Sequence, residues 1–262
     1  MSTLRVTLVQ ADLLWEQPEA QLKALEALLP PPGTTDLIVL PETFATGFSM
    51  QPGMAAFQAS IQTWMSVQSC RLDAAVVGTV FSKNALGQTV NRCWWVCPDG
   101  RWFRYDKRHV FTFGGEHQVV TPGQQHVLVQ WKGFSVGLMV CYDLRFPVWS
   151  RRTADFSYDI LLYTANWPAQ RSQAWKTLLP ARAVENQSYV IGLNRVGEDG
   201  HGRAHSGDSG IWGPDGTPLV LANPFVQETL HTSLSLDTLQ DFRANFPFSQ
   251  DADPFSLFPT PA

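Results

Sequence analysis

Apolar runs recur along the chain with turn-forming residues between them: RVTLVQ (5–10), DLIVLPE (36–42), AAVVGTVF (74–81), FSVGLMV (134–140), DILLYTANW (159–167) and SYVIGLNRV (188–196). Each predicts a strand, and several are apolar almost throughout, as strands covered on both faces are. Two hairpins are expected where Pro98-Asp99-Gly100 and Pro214-Asp215-Gly216 interrupt strand-like sequence. Helical spacing of apolar residues marks 18–29, 54–70 and 172–187, and Pro180 should kink or restart the last of these. Strands and helices alternate without a linker, repeat or low-complexity stretch. The expectation is one α/β domain over 1–262 with mixed sheets. Its tail, 241–262, is rich in Pro and Phe and should dock on the body or on a second subunit, because so many aromatic rings are costly to leave in water.

Composition narrows the class. With 44% hydrophobic and 16% charged residues over 262 positions, the chain can bury a large core and is neither disordered nor a nucleic-acid coat. A net charge of -4 gives no general attraction to phosphate backbones or anionic lipid, so neither nucleic acid nor membrane is expected as a partner. No apolar stretch has the length of a membrane helix, and the N-terminal residues read as a strand rather than a signal peptide, which predicts a cytoplasmic protein. The four cysteines, Cys70, Cys93, Cys97 and Cys141, are too few and scattered for a disulfide scaffold and are read as reduced thiols.

One thiol has an unusual setting. GLMVCYDLRFP places Cys141 where a buried strand must stop, since Pro147 follows within a dense polar cluster. Strand ends are where open α/β sheets bind ligands, and free N–H groups of a following turn favour a thiolate. A nucleophilic thiol also needs a base and an oxyanion donor. DLIVLPE ends in Glu42 and WFRYDK ends in Lys107, so three strand-like segments end in Glu, Lys and Cys and would converge on one pocket in a sheet with neighbouring parallel strands. From the residues alone two readings stand: a buried structural cysteine with two solvated charges, or a nucleophile with its base and its cation. Competing sites are weaker. Cys93 and Cys97 lack a second Cys/His pair for zinc, so no metal is expected, and the glycines of 197–216 form no phosphate loop. Trp94, Trp95 and Trp102 are expected to pack a hairpin, His117 adds little to a site that already has a base, and His109, His126, His201, His205 and His231 are read as surface or structural.

VLPETF, YDKRHVF and GLMVCYDLRFP resemble the Glu, Lys and Cys motifs of the nitrilase (carbon-nitrogen hydrolase) superfamily, in order and at similar separations. The resemblance extends from RVTLVQ through ARAVENQSYV to SGDSGIWGPDG, nearly the whole chain. It implies a four-layer αββα sandwich with mixed sheets that pairs with a second subunit as a homodimer. It also implies a thioester mechanism: Glu42 as base, Cys141 as nucleophile, and Lys107 with the backbone N–H of Tyr142 on the oxyanion. Glu116 in FGGEHQVV resembles the additional pocket glutamate of the superfamily, positioning Lys107 or the amide. No cofactor is implied.

Tyr142-Asp143 after the cysteine differs from the Trp-Glu usual in true nitrilases and is similar to Nit-type amidases; YTANWPAQRSQAW resembles the bacterial ω-amidase branch. That branch cleaves the terminal amide of 2-oxoglutaramate and 2-oxosuccinamate. Hydrolysis of deaminated glutathione or N-carbamoyl amino acids, or a non-catalytic binding role on the same fold, are the alternatives. A small monoamide of a dicarboxylic acid needs a cation for its free carboxylate, and Arg171 is the expected partner. Phe44, Phe48 and Trp167 are expected to wall a short pocket and Asn166 to hydrogen-bond near it, while Arg145 should pair with a local carboxylate and hold the turn after Cys141.

Overall fold

The computed structural model describes residues 2–253, 255 and 257, so residues 254, 256 and 258–262 of the predicted tail lie outside the described residues. In chain order the strands are β1 Thr3–Gln10, β2 Leu37–Val39, β3 Ala75–Lys83, β4 Thr89–Val96, β5 Trp102–Asp106, β6 Leu128–Trp131, β7 Phe134–Val140, β8 Ile160–Thr164, β9 Tyr189–Leu193, β10 Val196–Glu198, β11 Ala204–Ser206, β12 Gly210–Trp212, β13 Pro218–Leu221 and β14 Glu228–Ser235. The helices are α1 Pro18–Glu26, α2 Gln58–Leu72, the single turn α3 Pro147–Ser150, α4 Ser172–Asn186 and α5 Leu236–Asn245.

The strands form two six-stranded mixed sheets, β14-β1-β2-β3-β4-β5 and β13-β12-β9-β8-β7-β6, with β10 and β11 as a separate small ribbon. Alternation within the apolar runs explains why they stack. Leu37 and Val39, Ala75 and Val77, Cys93 and Trp95 enter one core with the second sheet's Leu138, Ile160 and Leu162. Their immediate neighbours Ile38, Val76, Trp94 and Val96 enter another core with Leu22 and Leu25 of α1 and Ile61 and Met65 of α2. Successive side chains point to opposite faces of a strand, so an unbroken apolar run here means a sheet covered on both sides. On the far side of the second sheet, Trp175, Leu179 and Ala183 of α4 pack against its strands. The layers are therefore helix, sheet, sheet, helix, the expected αββα sandwich.

Some elements depart from expectation. α4 runs through Pro180 as one helix. The ring removes one ladder hydrogen bond, and the buried stripe Trp175, Leu179, Arg182, Ala183 holds the turns on either side of it in register. Residues 228–245, which carry no strong periodic signal, form β14 and α5. β14 pairs antiparallel with β1 along its full length, and α5 is capped by the Ser235 hydroxyl, which accepts from the Thr238 N–H at 3.2 Å. The tail begins as part of α5: Arg243 binds Asp159 at 2.7 Å and the carbonyls of Gln187 and Tyr158.

Candidate active site

The three predicted strand ends do meet, but not in one sheet. Glu42 and Lys107 follow β2 and β5 of the first sheet, whereas Cys141 follows β7 of the second. β2 and β5 point the same way, because β3 is parallel to β2 and two antiparallel steps, β3 to β4 to β5, restore the direction. In the second sheet β7, β8 and β9 are parallel, so the residues after β8, Ala165 to Trp167, join Cys141 at the same edge.

The floor of the site is a buried ionic cluster. Lys107 Nζ donates to Glu42 Oε1 at 2.8 Å and to the Glu116 oxygens at 3.1 and 2.9 Å, and all three side chains are 0% exposed. Asn91 Nδ2 donates to both acids, at 2.8 Å to Glu42 and 3.2 Å to Glu116. The backbone N–H of Asn166 donates to Glu42 Oε2 at 2.9 Å, and that of Phe111 donates to Glu116 Oε2. Burial alone would lower the Lys107 pKa, but the charges of Glu116 and Glu42 overcome it and the ammonium is held well above its ordinary value. Burial, reinforced by the charge on Glu42, pushes the Glu116 carboxyl up against the opposing pull of Lys107.

Cys141 adopts φ +44°, the left-handed region, at the hinge between β7 and a tight turn of residues 141–145. Asp143 stabilises this turn from a fully buried position. Its carboxylate accepts from the Val140 N–H at 3.0 Å, the Tyr105 hydroxyl at 2.7 Å, and the His109 N–H and ring Nδ1 at 2.9 and 2.8 Å. Tyr105 and His109 flank Lys107, so this network ties the cysteine turn to the lysine segment. Burial raises the Cys141 thiol well above its ordinary pKa, with the Glu42 charge adding to the shift and Lys107 opposing it. Burial thus opposes ionisation of the thiol, so attack by its sulfur calls for a base to take the proton.

A cavity of about 130 Å³ opens over Cys141. Among the predicted residues, Lys107, Cys141, Tyr142, Asn166, Trp167 and Arg171 line it, with Phe48. Glu42 and Glu116 lie beneath, behind Lys107 and Asn166. Phe44 corrects the expectation: it is 0% exposed and packs into the outer core against Trp64, pressed so closely on Gly78 that a β-carbon there would come within 2.7 Å of its ring. Three residues of turn separate it from the wall that Phe48 forms. Arg145 also departs from expectation. No carboxylate pairs with it among the described residues; its guanidinium lies 4.8 Å over the Trp167 ring and faces the cavity. His201 and His205, read as surface or structural, line the rim with Asp199 and Arg203, brought over by the β10–β11 ribbon. His109 and His126 are structural, stacked on Phe146 and Phe156. Asn91 was not anticipated; its signal is a polar residue in register with inward-facing Cys93 and Trp95.

Residues 5–244 match the family described as carbon-nitrogen hydrolase. The chain is 45% identical to omega-amidase YafV of Yersinia enterocolitica over 98% of its own length and 100% of that protein. It is 26% identical to 2-oxoglutaramate amidase of Bacillus subtilis over 91% of this chain and 97% of that one. A crystal structure of XC1258 from Xanthomonas campestris, a CN-hydrolase superfamily protein with an arsenic adduct in its active site, superposes with TM-score 0.93 at 39% identity, covering 98% of this chain and 100% of the other.

Proposed function

The chain belongs to the carbon-nitrogen hydrolase family, and from that premise we propose that it is an ω-amidase, hydrolysing the terminal amide of 2-oxoglutaramate and 2-oxosuccinamate to the acid and ammonia. The observation that carries the chemistry is that Cys141 shares one cavity with Lys107, whose ammonium is held between the buried carboxylates of Glu42 and Glu116.

The thiol is a poor nucleophile at its raised pKa, so attack requires transfer of its proton to Glu42 as sulfur bonds to the amide carbon. The carbonyl electron pair moves onto oxygen. Lys107, kept charged by two carboxylates, and the Tyr142 N–H stabilise that oxyanion. When the intermediate collapses, the C–N bond breaks and nitrogen takes the proton held by Glu42, leaving as ammonia with a thioester on Cys141. Water then gives a proton to Glu42 and attacks the thioester carbon. Sulfur departs, recovers the proton from Glu42, and the acid is released. Glu116 and Asn91 position Lys107 and Glu42, so that base and cation approach the thiol from fixed directions.

The small cavity suits a short substrate with the amide over Cys141 and the carboxylate toward Arg171, between walls formed by Phe48 and Trp167. Asn166 Nδ2 is buried at the cavity without a partner among the described residues and supplies a donor for the amide or its oxyanion. The same reading includes a cytoplasmic homodimer. Four unpaired cysteines support a reducing compartment, and among the described residues no helix is long and apolar enough to cross a membrane. Sedimentation of the purified chain tests the dimer.

The test is ammonia release from 2-oxoglutaramate, 2-oxosuccinamate, an N-carbamoyl amino acid and a simple nitrile, with Cys141→Ala as control. Turnover confined to the two keto-amides and abolished in the variant is expected. Preference for the carbamoyl compound would overturn the substrate assignment while keeping the nucleophile.

A further inference from the structure

We infer that Arg145 acts with Arg171 as a specificity-determining pair that recognises the 2-oxo acid end of the substrate and rejects 2-amino acid amides; this rests on the ω-amidase reading. Both guanidinium groups line the cavity over Cys141. Each lies over an aromatic ring, Arg145 at 4.8 Å from the centre of Trp167 and Arg171 at 5.1 Å from that of Phe111. Stacking fixes the plane of a guanidinium and leaves its N–H edge for an acceptor. Among the described residues neither side chain has a hydrogen-bond acceptor or an ion-pair partner. The acid on the cavity rim, Asp199, is 3.8 Å from Arg203 and accepts from the backbone N–H groups of His201 and Arg203. Two like charges therefore share a small cavity with no counter-charge between them.

One carboxylate occupies one guanidinium fork, so a second cation calls for a further acceptor beside it. A 2-oxo acid supplies it, because its ketone oxygen lies next to the carboxylate. A 2-amino acid amide such as glutamine instead brings an ammonium, a donor without a lone pair, against two cations. Arg145 reaches this place because it follows Cys141 by one tight turn, which couples the reactive carbon and the recognised end of the ligand through five residues.

The experiment compares wild type with Arg145→Met, which retains contact with Trp167 but not the charge, and with Arg145→Lys, which retains the charge. The readout is kcat/KM for 2-oxoglutaramate relative to glutaramate, which lacks the ketone. That ratio is expected to fall about tenfold in Arg145→Met, the loss of one charge-assisted hydrogen bond, and by less in Arg145→Lys. An unchanged ratio in both variants overturns the inference. A second measurement does not depend on turnover: protection of Cys141 from alkylation by 2-oxoglutarate, glutarate and glutamate. Protection in that order, weakened toward equality in Arg145→Met, supports the pair. Equal protection by all three in wild type overturns it, whether or not the keto-amides are substrates; failure of wild type to hydrolyse keto-amides would instead strike the ω-amidase reading.

Discussion

The floor and the mouth of the cavity are both charged, yet they are built in opposite ways. On the floor, Glu42, Glu116 and Lys107 are fully buried and satisfy one another, with Asn91 and two backbone N–H groups filling the remaining acceptor sites. At the mouth, Arg145 and Arg171 rest on aromatic rings and have no acceptor among the described residues. A buried ion is tolerable only when paired and hydrogen-bonded, so the floor must be complete before any substrate arrives. The half-exposed mouth keeps enough water to leave its cations unpaired, and on the proposed reading this is the part that a ligand completes. On the proposed reading, reaction chemistry is preorganised in the interior and substrate choice is left to the rim.

If the floor is the reaction centre, its variants should cost the most. Cys141→Ala removes the nucleophile and should lower ammonia release by about 10⁴-fold or more, with the fold intact by circular dichroism. Glu42→Gln should cost about 10³-fold in kcat and slow Cys141 alkylation as well, since the raised thiol pKa makes the base necessary for both reactions. Normal alkylation in that variant would point to another base. Lys107→Met should lose about 10²-fold in kcat and, by leaving two buried carboxylates uncompensated, about 3–5 kcal/mol of stability in denaturant melts. Arg171→Met, at the mouth, should show no such stability loss, and equal losses would erase the distinction between the regions.

His205 gives the mouth one buried group of its own. Burial first, then the charge on Arg195, lower its pKa from 6.5 to about 4. Between these values the unfolded chain binds a proton that the folded chain refuses, so stability is full above about pH 6.5 and falls as the pH drops toward 4. The contribution is on the order of 3 kcal/mol. His205→Asn should flatten the stability profile across that window, measured by chemical denaturation at several pH values. The smallest expected effect is that of Asn91→Ala, about tenfold in kcat with KM nearly unchanged, because Lys107 still bridges the two acids.

Legibility in the sequence followed the range of the physics. β7 was readable residue for residue, since an apolar run ending at a cysteine and a proline-bounded turn is a local pattern. The layers were partly readable: unbroken apolar strands imply covering on both faces, but which neighbour covers each face emerges only when the sheets stack. Phe44 and Phe48 look alike in sequence; their opposite fates depend on the direction of a turn in which Thr43 and Gly47 both take left-handed φ. β14 and α5 escaped notice because a half-exposed edge strand and a short surface helix carry too little periodic contrast. Arg145 seemed destined for a local carboxylate, yet Asp143 is fully engaged by Val140, Tyr105 and His109, and the guanidinium is left to the cavity.

What the chain carried within itself was the set of reactive groups and their positions at strand ends: Glu42 after Pro41, Lys107 after β5, and Cys141 at the close of β7. Those placements arise from local chemistry, from where a ladder can continue and where it must stop. The tertiary structure decided which groups face one another: that Glu42 and Lys107 reach Cys141 from a different sheet, that Asn91 bridges two acids, and that two arginines share one mouth. Such contacts join residues from 5 to 124 positions apart on the floor alone. They depend on register and on the stacking of two sheets, because hydrogen bonds form only when distant strands bring donor and acceptor within about 3 Å of each other.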